Sequence, residues 1–153
     1  MSRYEVWKFL HVIGAMVWVG GSILFIVLSA RAGATKDPAE SGRIGQLALW
    51  VGTRIFAPAS VWVLIFGLVM VFDGPWEFSD AWIGLGLLGI IITAGIGNGF
   101  LAPNGRKIGP AMMERGPQDP VTLRLVSRQR FFSILNGILL IAVVFDMVVK
   151  PGS

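Results

Sequence analysis

Four long apolar runs alternate with shorter polar connections along the chain, covering about 6–28, 55–72, 81–102 and 131–149. Each approaches the roughly 20 residues that a helix needs to cross about 30 Å of hydrocarbon. A helix closes its own backbone hydrogen bonds, which lipid cannot do, so helices are the predicted form. The second run is short and extends backward through 41–54 as a helical pattern. The first run is followed by Ser29-Ala30-Arg31, a signal-peptide-like ending. It is longer than the 7–15 apolar residues of a signal core, so it reads as a retained span. The predicted fold is an all-α membrane protein, an up-and-down bundle of four transmembrane helices forming one domain over 1–153.

Local chemistry supports these boundaries. Asp73-Gly74-Pro75 is a turn signal, and Ser79 or Asp80 is placed to cap the third helix. Asp119-Pro120 reads as an N-cap followed by proline at the first helical position. A helix starting there runs through Arg124 and Arg128 into the fourth span. Pro58 predicts a kink in the second. In the first span, Leu10, Ile13, Val17, Leu24 and Leu28 suit lipid, whereas His11, Gly14, Ala15, Trp18, Ser22 and Phe25 share the opposite, bundle-facing side. The third span contains Gly84-Leu85-Gly86-Leu87-Leu88-Gly89, which matches G-x-G-x-x-G. No strand precedes it, so it is not a dinucleotide loop. Gly89, Thr93 and Gly97, and likewise Gly95 and Gly99, recur every four residues and predict helix-packing surfaces.

Composition agrees. Of 153 residues, 54% are hydrophobic and 14% charged, against roughly 25% charged in a soluble domain. The apolar excess implies a lipid bilayer as partner. The absence of cysteine excludes disulfides, iron–sulfur clusters and thiolate metal sites. The net charge of +4 does not point to nucleic acid, because the basic residues border apolar runs. Arg31, Lys36, Arg43 and Arg54 follow the first span, and Arg106, Lys107, Arg115, Arg124, Arg128 and Arg130 precede the fourth. The 73–80 connection has only acids, and the tails carry Arg3, Lys8 and Lys150. This asymmetry predicts a multi-pass protein of the bacterial inner membrane with both termini outside and the basic loops in the cytoplasm. Arg124 and Arg128, one turn apart, are placed to meet anionic lipid headgroups.

Polar groups inside spans need partners. His11 and Asp146 lie at similar depth near the outer ends of spans one and four, and a hydrogen bond between them is expected. Asn98 and Asn136 are placed to join across the bundle near the other end. His11 is the single histidine. It is either satisfied by a neighbour or an axial ligand to haem. Lys8 is then placed to meet a propionate, with Trp18 and Asp146 nearby. Met70 and Met147, near the same level, make a His11/methionine copper site the further alternative.

The segment Trp7-Lys8-Phe9-Leu10-His11-Val12-Ile13-Gly14, followed by Trp18-Val19-Gly20-Gly21, resembles a first-helix pattern of small bacterial membrane families. These are the HemJ-type protoporphyrinogen oxidases, the CopD copper-resistance proteins and a related uncharacterised group of integral membrane proteins. The end, Arg130-Phe131-Phe132, Asn136 and Val148-Val149-Lys150-Pro151, is similar to the HemJ type. The middle, Arg54-Ile55-Phe56-Ala57-Pro58-Ala59-Ser60 and Asp73-Gly74-Pro75-Trp76-Glu77-Phe78, looks most like the uncharacterised group. The resemblance implies a haem-binding role for His11, with haem b as cofactor. The HemJ type also has an important lysine after a tryptophan early in its third helix. Here Trp82 is followed by Gly84 and Gly86, and the span holds no lysine. No nucleophile–base pair or phosphate loop is evident. The sequence therefore leads to three readings: a haem- or porphyrin-binding, redox-linked protein; a non-catalytic subunit of a homo-oligomer or larger membrane complex; and a small copper-handling or transport protein.

Overall fold

The computed structural model describes residues 2–34 and 37–152, so Lys36 lies outside the described residues. Its helices are α1 (Arg3–Ala34), α2 (Pro38–Val51), α3 (Ala57–Asp73), α4 (Ala81–Gly95), α5 (Ala102–Arg115) and α6 (Pro120–Val149). A π-helical turn, Gly52–Phe56, joins α2 to α3, and another, Ile96–Leu101, joins α4 to α5. The result is four continuous rods long and apolar enough to cross a membrane: Arg3–Arg31, Ala39–Asp73, Ala81–Arg115 and Pro120–Val149. The protein is thus an all-helical, multi-pass integral membrane protein. The 35-residue second and third rods reach about 50 Å, well beyond about 30 Å of hydrocarbon. Few span residues are buried by the chain itself. Met16, Ile91 and Phe145 are 65%, 62% and 66% exposed, which only an apolar surrounding tolerates.

Both π turns stand immediately before a proline in the next helix, Pro58 and Pro103. Proline lacks an N–H, and its ring collides with the carbonyl four residues back. Widening the preceding turn to i→i+5 bonding makes room for the ring, so helical structure continues through the proline. The glycine pattern holds only in its first half. Gly89 packs on Val143 and Thr93 is buried, but Gly95, Gly97 and Gly99 face open space. Asp37-Pro38 and Asp119-Pro120 start α2 and α6 in the same way: each aspartate accepts a hydrogen bond at 2.9 Å, from Ala39 N and Val121 N. Asp80 occupies the N-cap position of α4, but its carboxylate accepts from Glu77 N instead.

Arg3 pairs with Asp73, Trp76 Nε1 donates to Tyr4 Oη at 3.0 Å, and the Lys150 ammonium lies 3.8 Å from the Trp76 ring centroid. Both termini and the 73–80 connection therefore meet at one end, here the terminal end. The opposite, basic end is bound by Arg31–Glu40 and by Asn104, whose amide reaches Leu125 O and Gln129 Oε1 on α6. Successive rods alternate in direction. α1 packs chiefly on α3 and α4 on α6, with α1–α6 contact closing the bundle. Trp18, Ala59, Val63, Ile90 and Leu140 form the core. The face assignment of α1 agrees in the main: Gly14 and Trp18 are buried and Ile13, Val17 and Leu24 exposed, although Leu10 and Leu28 are half-buried.

The α1–α3 seam is held by a reciprocal pair. His11 Nδ1 donates to Val63 O at 2.9 Å, and Trp62 Nε1 donates to Leu10 O at 2.9 Å. Each accepting carbonyl has glycine four residues on, at Gly67 and Gly14. A Cβ on Gly67 would lie 3.1 Å from His11 Cε1, and one on Gly14 would lie 2.6 Å from Trp62 Cδ1. The missing side chains are what let each ring reach the opposing backbone.

Two outcomes are expected in thermal unfolding of the detergent-solubilised protein. A Cβ on Gly21 would fall 1.9 Å from Phe56 Cε1, and that ring is itself held against Phe25. Gly21→Ala should therefore cost about 1–3 kcal/mol, whereas Gly20→Ala, with nothing within 4 Å, should be neutral or stabilising. Trp62→Phe keeps an aromatic ring toward Phe66, now 4.6 Å away, but loses the bond to Leu10 O. It should cost about 0.5–1.5 kcal/mol, and wild-type stability in that variant would argue against the paired bonds.

Candidate functional site

His11 lies two turns into α1, where a polar ring must be satisfied by protein or ligand. The Val63 carbonyl can only accept, so Nδ1 carries the proton, and the neutral ring presents its lone pair at Nε2. Nε2 has no protein partner, yet it is not among the sealed, unpartnered polar atoms. It therefore reaches the accessible surface. An imidazole oriented through one nitrogen by a backbone carbonyl, with the other nitrogen open, is the arrangement in which histidine binds a metal.

The other residues singled out from the sequence are spread over several seams. Lys8 is exposed one turn toward the terminal end, and Trp18, 5% exposed, fills the core two turns deeper. Asp146 and Met147 lie on the α4–α6 seam against Gly86: a Cβ there would be 3.5 Å from Asp146 Oδ2 and 1.9 Å from Met147 Cε. Met70 is half-buried near the terminal end of α3. His11 and Asp146 share no hydrogen bond, contrary to expectation, because the imidazole proton is taken by α3 while the carboxylate points into the other pair of helices. Among the described residues no group of three His, Asp or Glu could hold a metal ion.

Arg124 and Arg128 are exposed on the basic-end third of α6. Asn98 does not join Asn136. Its amide donates to Ala94 O of its own helix at 3.1 Å, within the π turn that rotates it outward. Asn136 is buried with Oδ1 unpartnered, as are Ser133 Oγ on the same helix and Trp82 Nε1 on α4. Ser133 was missed from sequence, since a lone serine in an apolar helix ordinarily bonds back to its own turn. Trp62 was missed as well. The readable signal for it was the carbonyl–glycine spacing, Leu10 to Gly14 and Val63 to Gly67, facing an aromatic N–H and an imidazole.

No curated protein and no solved structure matches the chain. One family model does, over residues 5–151, and its description is "Predicted integral membrane protein (DUF2269)". The match takes in all four rods, both π turns and the reciprocal pair between α1 and α3. This chain belongs to the DUF2269 family of integral membrane proteins.

Proposed function

We propose that the protein binds a haem- or porphyrin-type group through His11 Nε2 and serves a redox-linked or carrier role in the bacterial inner membrane. The observation that supports this reading is the Nδ1–Val63 bond, which orients the ring and leaves the opposite lone pair open at membrane depth. The first-helix resemblance points the same way. His11 is the residue that would hold the iron of haem b, and Lys8, exposed one turn outward, is the cation nearest in sequence for a propionate. Trp18 supports the helix from the core and is too deeply buried to touch the group. With one histidine per chain, a second axial histidine would come from another copy or another subunit.

A second reading, a non-catalytic subunit of a larger membrane complex, is favoured by a different observation. Gly84, Gly95 and Gly99 are exposed with nothing within 4 Å and leave one side of the third rod open to close helix packing.

Protein purified in mild detergent should show a Soret band. The band should be lost in His11→Gly and regained when free imidazole is added, which separates loss of a ligand from loss of fold. A colourless wild type with blank metal analysis, co-purifying with other membrane proteins, would favour the subunit reading. Orientation is tested separately, using the absence of native cysteine. In intact cells an impermeant maleimide should label Ser2→Cys, whereas Gln118→Cys should react only after permeabilisation. The reverse pattern would invert the proposed topology.

A further inference from the structure

Ser133 apart, the buried hydroxyls among the described residues, and several half-buried ones, are satisfied by backbone. Ser22 donates to Trp18 O, Thr53 to Leu49 O, Ser60 to Ala57 O and Thr93 to Gly89 O, each within its own helix. Thr122 donates across to Ala111 O. Ser133 breaks this pattern. It is 7% exposed, and its hydroxyl bonds nothing. Asn136, 6% exposed and nearly one turn further along α6, has an amide oxygen in the same condition. A buried polar atom without a partner costs about 1–3 kcal/mol. Two neighbours in this state on one helix face mark a place that something else completes.

Both residues border open space, although their unpartnered oxygens are themselves sealed from it. Two adjoining clefts share Ser133 as a wall. One lies between α1 and α6 and is bordered by Arg130, Ile26 and Ile134. The other reaches Asn136, Phe25 and Leu101, the last residue of the second π turn. Arg130 and Ile134 are exposed, so the space opens on the outer surface of the bundle.

We propose that this α1–α6 cleft at the basic end binds the oxyanion head, phosphate or carboxylate, of a membrane amphiphile. Three donor-bearing side chains border it. Arg130, exposed at the mouth, offers a guanidinium with no carboxylate partner among the described residues. The Ser133 hydroxyl, unpartnered in this packing, turns toward the cleft by rotation about its one side-chain torsion, and Asn136 brings an amide NH2 to the same wall. The lining contains no acidic side chain to receive a cationic head. Ile26, Ile134, Phe25 and Leu101 supply apolar walls for the first methylenes of a tail. Ser133 stands two residues inside the apolar run that begins at Phe131, the depth at which a headgroup meets hydrocarbon. The site is separate from His11, and its test does not depend on that reading.

Native mass spectrometry of the full chain in a neutral detergent reads the proposal directly. The probes are dioleoyl phosphatidylglycerol and oleate, which pair an oxyanion with a tail, dioleoyl phosphatidylcholine, whose head is zwitterionic, and inorganic phosphate, which has no tail. Phosphatidylglycerol and oleate should be retained in preference to phosphatidylcholine. Arg130→Gln and Ser133→Ala should each weaken that retention, by about fivefold or more, and leave phosphatidylcholine unaffected. Arg130 is exposed, so its variant keeps the fold even if Ser133→Ala does not. Equal retention of the two phospholipids would overturn the proposal, as would no retention at all, which would leave the cleft to water. Displacement of phosphatidylglycerol by inorganic phosphate at equal concentration would mean a free-anion site. An equal loss in Arg124→Gln would reduce the effect to diffuse surface charge.

Discussion

Hydrocarbon offers no hydrogen bonds, and this constraint organises the whole bundle. It acts most visibly where α1 meets α3. Two side-chain N–H groups, one imidazole and one indole, each find a backbone carbonyl on the opposing helix, and each carbonyl is uncovered by a glycine four residues on. An apolar seam alone would give α1 and α3 little reason to prefer each other over lipid, since both are equally greasy. The paired bonds supply a register instead. Shifting either helix by one residue would break both and strand two donors in a medium that penalises them. The same logic governs the α4–α6 seam, where Gly86 and Gly89 admit Met147 and Val143, and Thr93 turns its hydroxyl onto its own backbone.

The second and third rods show how the chain accommodates proline under this constraint. Pro58 and Pro103 each threaten a carbonyl four residues back. The chain answers with a π turn before each one, which keeps the rod continuous and carries it past the membrane boundary. Along the third rod Gly89 and Thr93 look inward, whereas Gly95, just before the second π turn, and Asn98 and Gly99, within it, look outward. The same turn places Leu101 at the rim of the cleft that holds Ser133 and Asn136.

Much of the fold was legible in the sequence because the membrane imposes a simple code. Run length specified the spans, Asp119-Pro120 marked a helix start, and the backward extension of the second rod followed from its helical pattern. The candidate site was only partly legible. His11 stands out as the lone imidazole, and its bundle-facing side follows from helical spacing. Depth matching, however, is a weak guide to partners. It put His11 beside Asp146 and Asn98 beside Asn136, because it specifies height in the bilayer and leaves rotation about each axis free. Rotation was decided by the glycines in one case and by a π turn in the other, and neither is visible in hydropathy.

The distribution of unpartnered polar atoms separates two kinds of polar residue in this bundle. His11 and Trp62 spend one N–H each on holding helices together, and Thr93 and Ser60 are silenced by their own turns. Such residues would survive selection for stability alone. Ser133 and Asn136 are different, since replacing either by alanine in an otherwise apolar wall would remove a desolvation penalty. The open Nε2 of His11 poses the same question from the other end of the bundle. The bond through Nδ1 orients the ring, and the second nitrogen takes no part in it. Trp82 Nε1 and Asp146 Oδ2, on the α4–α6 seam, are the other buried polar atoms that packing leaves unpartnered among the described residues.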